Sequence, residues 1–332
     1  GGFLGLDNIG IFDRSAPLPT GGHINQSDGT AWMAMYTLNL MRIALELAGR
    51  DHVYEDIATK FFEHFLLIAE AMTNIGGDGI GLWDEADEFY YDVLEFTGSD
   101  PVPMRVRSMV GLIPLFAVEV LDGTLIDRLP EFSMRLHWVL SHRPELARLV
   151  SRWLDTGSAE RQLLSLLRGH RMKCLLRRML DETEFLSEYG IRSMSKYHEK
   201  HPFVLEHQGT QFGVGYVPGE STTGVFCGNS NWRGPIWMPV NFLLIESLYR
   251  FHSYYGDDFR VEYPVGSGEL LSLAAVANEL ARRLCRLFLR DGNGRRPVLG
   301  PPPPEGRPDF QEYPLFYEYF HGDDGRGCGA SH

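Results

Sequence analysis

The sequence predicts an all-α protein built from inner and outer helices. Two observations carry this. Residues 29–49 are apolar almost all round, through Trp32, Met35, Tyr36, Leu38, Leu40, Ile43 and Leu47, as in a helix buried on most sides. Residues 52–73 instead carry one stripe, Val53, Ile57, Phe61, Phe65, Ile68 and Met72, with Glu55, Lys60 and Glu63 between; this is the pattern of a one-sided helix. A third observation is negative: strand signals are few and short.

The remaining elements follow in order. Phe89-Tyr90-Tyr91 after Trp83 suggests a small hairpin. Residues 107–121 continue the apolar pattern less cleanly, interrupted by Pro114. Residues 123–187 are rich in arginine and leucine and divided by Pro144. They read either as an inserted helical subdomain or as two ordinary outer helices. Residues 237–253 are mostly apolar, and residues 269–290 carry the stripe Leu273, Val276, Leu280, Leu284, Leu287. Residues 291–311, with four consecutive prolines at 301–304, read as a surface linker.

Composition narrows the function. The chain has 332 residues, 44% of them hydrophobic, and a formal charge of −13. That length buries a sizeable core. An acidic balance without a basic face argues against nucleic acid as a partner. Cys174, Cys227, Cys285 and Cys328 are scattered without a CxxC pair, so buried thiols rather than a zinc site are expected. No apolar run approaches the roughly 20 residues of a membrane span, and no signal peptide is visible. The expectation is a cytoplasmic protein without a membrane partner. The first residue is Gly1, not Met, and the last, His332, lies in a glycine-rich loop; the chain reads as a fragment of a longer protein.

Five segments carry candidate chemistry. Asp7, in Gly5-Leu6-Asp7-Asn8, has apolar neighbours that would raise a carboxyl pKa and keep it protonated; the competing reading is a turn aspartate. Ser27 or Asp28 is a natural N-cap for the first long helix, where Gln26, Asp28 and Trp32 would reach sugar hydroxyls if the helix lines a cavity. Trp83 to Asp92 mixes aromatics and acids in the manner of a carbohydrate subsite. Asn231-Trp232-Arg233-Gly234-Pro235-Ile236-Trp237 opens a helix, with Pro235 suited to its first turn. Glu318 lies between Tyr317 and Tyr319, just before His321-Gly322-Asp323-Asp324-Gly325. Two carboxylates plus stacking aromatics are what glycosidic hydrolysis requires. Asp323 and Asp324 rival Glu318 on composition alone.

Together these segments resemble glycoside hydrolase family 63: the processing alpha-glucosidases, the bacterial alpha-glucosidases and the mannosylglycerate and glucosylglycerate hydrolases. The resemblance is densest at residues 5–14, 27–33, 108–116, 189–197, 220–241 and 318–332. Trp-Arg-Gly-Pro-Ile-Trp at 232–237, with Asn241 four residues beyond, is specific to this group. The resemblance implies a single (α/α)6 toroid over residues 1–332, incomplete here because a full ring needs more helices. It implies an inverting, exo-acting alpha-glucosidase with Asp7 as general acid and Glu318 as general base, their carboxylates roughly 6.5–9.5 Å apart. Trp232, Arg233, Trp237 and Asn241 fall on substrate-pocket positions, with Asp28, Trp32 and Trp83 as further candidates. No metal or organic cofactor is implied; the partner is a carbohydrate. A compatible-solute hydrolase, with Arg192 and Lys196 receiving the substrate carboxylate, is the alternative, and a non-catalytic sugar-binding module is the third reading.

Overall fold

The structure is a computed structural model, which describes residues 5–6, 8–74, 81–96, 98, 100–147, 161–167, 169–228, 230–301 and 314–331. Its helices are α1 (Ser27–Ala48), α2 (Val53–Thr73), α3 (Gly123–Asp127), α4 (Pro130–His142), α5 (Pro144–Ala147), α6 (Gly169–Met179), α7 (Met238–Tyr255) and α8 (Leu273–Arg286). Between them lie small antiparallel sheets: one of three strands, His23–Asn25, Asp92–Glu95 and Val102–Met104, and several two-stranded pairs. The chain is therefore helix-rich rather than all-α. The strands escape notice in the sequence because they are two to five residues long, too short to show a period of two.

Particular elements differ from expectation for identifiable reasons. Residues 107–121 form two 3-10 turns, Met109–Gly111 and Ile113–Phe116, then a strand, Val118–Asp122, paired with Arg161–Ser165. Pro114 lacks the N–H that a continuous helix would need. The expected hairpin is present: Trp83 pairs with Tyr90 and Asp84 with Phe89.

Helix α1 is buried on only part of its circumference. Met33, Tyr36, Leu40, Ile43 and Leu47 stand 40–55% exposed at a helical spacing that makes one stripe. Helix α2 buries Ala58, Phe62, Phe65, Leu66, Ala69 and Met72, a stripe rotated from the expected one. It leaves Val53 and Ile57 exposed because α2 packs against α4 as well as α1, which widens and shifts its buried arc. Helix α8 matches expectation: Leu273, Val276, Leu280 and Leu284, with Leu287 just past its end, are all buried.

Apolar residues of 123–187, including Phe132, Leu136, Leu163, Met172 and Leu175, join the same core cluster as α1, α2, α7 and α8. No described helix is long and apolar enough to cross a membrane.

Candidate active site

Isolated backbone bridges knit distant loops into one patch. Ser108 pairs with Met194, Arg192 with Ile236, and Ile236 with Phe320. Ile236 and Phe320 exchange both N–H···O bonds, at 2.7 and 2.9 Å. The tryptophan loop is thereby fixed two residues from Glu318.

The segment after Asp7 is tied to that loop. Asp7 itself lies outside the described residues. Asn8 is fully buried; its Oδ1 accepts from the Trp232 amide at 2.7 Å, and its Nδ2 donates to Asn231 Oδ1 at 3.2 Å. Arg233 donates from Nε to the Asn8 carbonyl at 2.6 Å and from its terminal nitrogen to the Gly10 carbonyl at 2.8 Å. Burial pulls the Arg233 pKa down, and both its acceptors here are neutral backbone oxygens. Arg233 is a positioning residue for the 8–10 loop.

Asn231 organises the loop from within. Its Nδ2 donates to the carbonyls of Val217 and Gly219 at 2.8 and 2.6 Å, and its own carbonyl accepts from Trp237 Nε1 at 2.9 Å. Sequence reasoning passed over it, because an asparagine satisfying backbone groups leaves no periodic signal. Asn241 is likewise occupied: its Oδ1 accepts from the Ile191 amide, and its Nδ2 donates to the carbonyls of Ile191 and Trp237.

The aromatics form a stack. Trp232 lies parallel to Trp237 at 4.0 Å, and Trp237 stacks on Tyr319 at 4.8 Å. Two rings cannot share one face at those distances, so Trp237 is sandwiched, and both tryptophans are buried. Trp32 stacks on Tyr36 and packs against Phe116. Trp83 packs edge-on against Tyr90 beneath the Arg171 guanidinium. Neither ring is brought into the Trp232–Trp237–Tyr319 stack.

Two glutamates flank the end of the stack. Glu220 accepts the Tyr319 hydroxyl on Oε2 at 2.8 Å and the Gly329 amide on Oε1 at 3.0 Å. Glu318 is exposed, on the strand Tyr317–Phe320, and accepts the Ala330 amide at 3.4 Å. Gly329 sits between them at φ +68°; a Cβ there would lie 2.8 Å from Glu318 Oε2 and 2.7 Å from the Tyr319 ring. Burial and the Glu220 carboxylate push the Tyr319 phenol pKa up, so it stays a hydrogen-bond donor.

Asp323 is differently placed. Its Oδ1 accepts from Arg192, Lys196 and the Tyr216 hydroxyl, each at 3.0 Å. Burial works to raise its pKa, but the hydrogen bond from Lys196 and the Arg192 charge outweigh burial and hold it below the ordinary range. Asp324 pairs with Arg326 at 2.6 Å.

The start of α1 departs from expectation. Gln26 is the N-cap residue and makes no side-chain cap. The Ser27 amide is instead received by Asp92 at 2.8 Å, across 65 residues. Asp28 is 1% exposed and paired with Arg14, which also reaches Asp92 at 3.1 Å. Asp28 therefore belongs to a buried charge cluster.

No family model matches the chain. The chain is 52% identical over 347 residues to an uncharacterized protein of Saccharomyces cerevisiae, a match covering all of this chain and 32% of that relative. It is 34% identical over 80 residues, 24% of this chain and 7% of the relative, to a probable mannosyl-oligosaccharide glucosidase of Schizosaccharomyces pombe. A solved mannosylglycerate hydrolase of glycoside hydrolase family 63 from Thermus thermophilus, in complex with glucose, aligns with a TM-score of 0.40 at 17% identity, covering 93% of this chain and 42% of that one. The chain thus spans about a third of the length of the S. cerevisiae relative.

Proposed function

We propose that this chain carries the catalytic centre of an inverting glycoside hydrolase of family 63 type, acting from the chain end on alpha-glucosides. Glu318 deprotonates the attacking water and Asp7 protonates the leaving oxygen. The observation that carries this reading is the convergence of three distant segments. Asn8, next to Asp7, is locked to the tryptophan loop, and that loop is paired with Phe320, two residues from Glu318. The local similarity to the Schizosaccharomyces pombe glucosidase supports the substrate class. In this reading the helices belong to an (α/α)6 toroid, with α1 in its inner ring.

Chemistry favours Glu318 over its neighbours as base. Asp323 accepts three donors on one oxygen and is held as a stabilised anion, which lowers its basicity. Both oxygens of Glu220 are engaged. Glu318 is exposed and receives one amide, so it can reach a water. Asp323 also engages the two cations, Arg192 and Lys196, that a substrate carboxylate would need, which favours a neutral glucoside over a compatible solute.

The test is a panel of alpha-glucosides and mannosylglycerate offered to the full-length protein, with NMR of the first-formed sugar. The expected product is β-glucose from an alpha-glucoside. First-formed α-glucose would overturn inversion, and sugar binding without turnover would favour a non-catalytic module.

A further inference from the structure

We propose that Glu88, His170 and Cys174 form a binding site for a divalent transition-metal ion of the zinc class, apart from the aromatic stack and its carboxylates. His170 and Cys174 are four residues apart on α6 (Gly169–Met179), so they share one helix face. Glu88 comes from the turn that closes the hairpin of Trp83–Asp84 and Phe89–Tyr90. His170 Nε2 lies 3.7 Å from Cys174 Sγ and 3.8 Å from Glu88 Oε1. The three donor atoms all lie within 4.8 Å of one another.

These separations suit a metal. Zinc bonds of about 2.3 Å to sulfur and about 2.0 Å to nitrogen or oxygen, at tetrahedral angles, put donors about 3.3–3.5 Å apart. The two sides that meet at His170 need a contraction of only a few tenths of an ångström for ligation, and the Glu88–Cys174 side lies within 4.8 Å. One thiolate and one carboxylate would neutralise a divalent ion, and imidazole completes a set of intermediate softness. Solvent can reach the triangle, because the His170 side chain is 76% exposed, and a water can take the fourth position.

Two further features hold the carboxylate in place. Glu88 adopts φ +51°, a left-handed backbone that a residue with a side chain takes only under constraint. The turn is fixed by Asp84, which accepts the amides of Ala86 and Asp87. Arg177 binds Glu88 Oε2 at 2.5 Å, while Oε1 is the oxygen nearer His170. Such an outer partner orients a ligating carboxylate. Burial, with the Glu88 charge adding to it, raises the Cys174 thiol pKa. Cysteine spacing could not reveal this set, since its ligands are three residue types from two elements.

The experiment titrates the chelator-treated chain with Co2+ as a spectroscopic stand-in for Zn2+. The expected result is one equivalent bound, with a sulfur-to-cobalt charge-transfer band that Zn2+ abolishes by displacement. The band should vanish in Cys174→Ser and persist in Cys285→Ser, whose thiol is exposed elsewhere. His170 is exposed, so His170→Ala keeps its fold and provides an independent arm; its affinity should fall at least about tenfold, as even outer-shell changes do at metal sites. A chain that binds no equivalent with thiolate character, or His170→Ala with unchanged affinity, overturns the proposal.

Discussion

Arg14 faces two carboxylates, Asp28 and Asp92, leaving one negative charge in excess. The Arg14 and Asp28 side chains are 2% and 1% exposed, and that of Asp92 12%. Burial pushes the Asp92 carboxyl up to about 6 from an ordinary 3.8; the Arg14 charge opposes the rise and the Asp28 charge adds to it. Between those pH values the unfolded chain has released the Asp92 proton and the folded chain still holds it. Stability from this group is therefore full below about pH 4 and is lost as pH rises through about 6. The gap corresponds to about 3 kcal/mol. Asp92→Asn cannot ionise and should lack this slope, while its side-chain oxygen still receives the Ser27 amide. An amide nitrogen beside Arg14 adds a constant cost that does not vary with pH. Urea unfolding across about pH 4 to 7 should show the parent losing about 3 kcal/mol relative to the variant, since all other titrating groups are shared. Parallel stability curves, or a parent that gains on the variant as pH rises, would refute the reasoning.

Arg233→Met should cost about 2–4 kcal/mol: it removes two charge-assisted hydrogen bonds worth roughly 1.5–3 kcal/mol each, with relief of a buried charge as a partial offset. Hydrogen exchange at residues 8–14 should accelerate, and unchanged protection there would contradict the positioning role. Gly329→Ala should lower stability by about 1–2 kcal/mol, because alanine at positive φ is strained. It should also lower turnover, since the new methyl meets Glu318 Oε2; a variant with parental melting temperature and turnover would show that this contact does not matter.

The long helices were legible because burial imposes a period over many turns. Helix α8 shows this: its four stripe residues and Leu287 just beyond its end are all buried. The period was less exact where two neighbours share a helix, as for α2, and misleading for α1, whose apolar residues Met33, Tyr36, Leu40, Ile43 and Leu47 face outward among the described residues. The candidate site was legible as residue types but not as contacts. Trp232 and Trp237 stood out by residue type, whereas Glu318 was singled out from Asp323 and Asp324 by the family resemblance. The anchoring by Asn8, Asn231 and Arg233 spans more than 200 residues of chain, and such pairings leave no trace in local sequence. The cap on α1 was missed for the same reason, because Asp92 supplies it from another strand. The sugar-platform expectation meets a physical constraint in Trp237, whose ring is covered by Trp232 and Tyr319.

The central claim rests on Glu318 as the general base, and its most direct test is turnover of an alpha-glucoside by the full-length protein and by its Glu318→Gln variant. The exposed position of Glu318 means that the substitution leaves folding intact, so circular dichroism and melting temperature should match the parent. Turnover should fall by about two to four orders of magnitude, the range that general-base catalysis supplies. Near-parental turnover in Glu318→Gln would contradict the account.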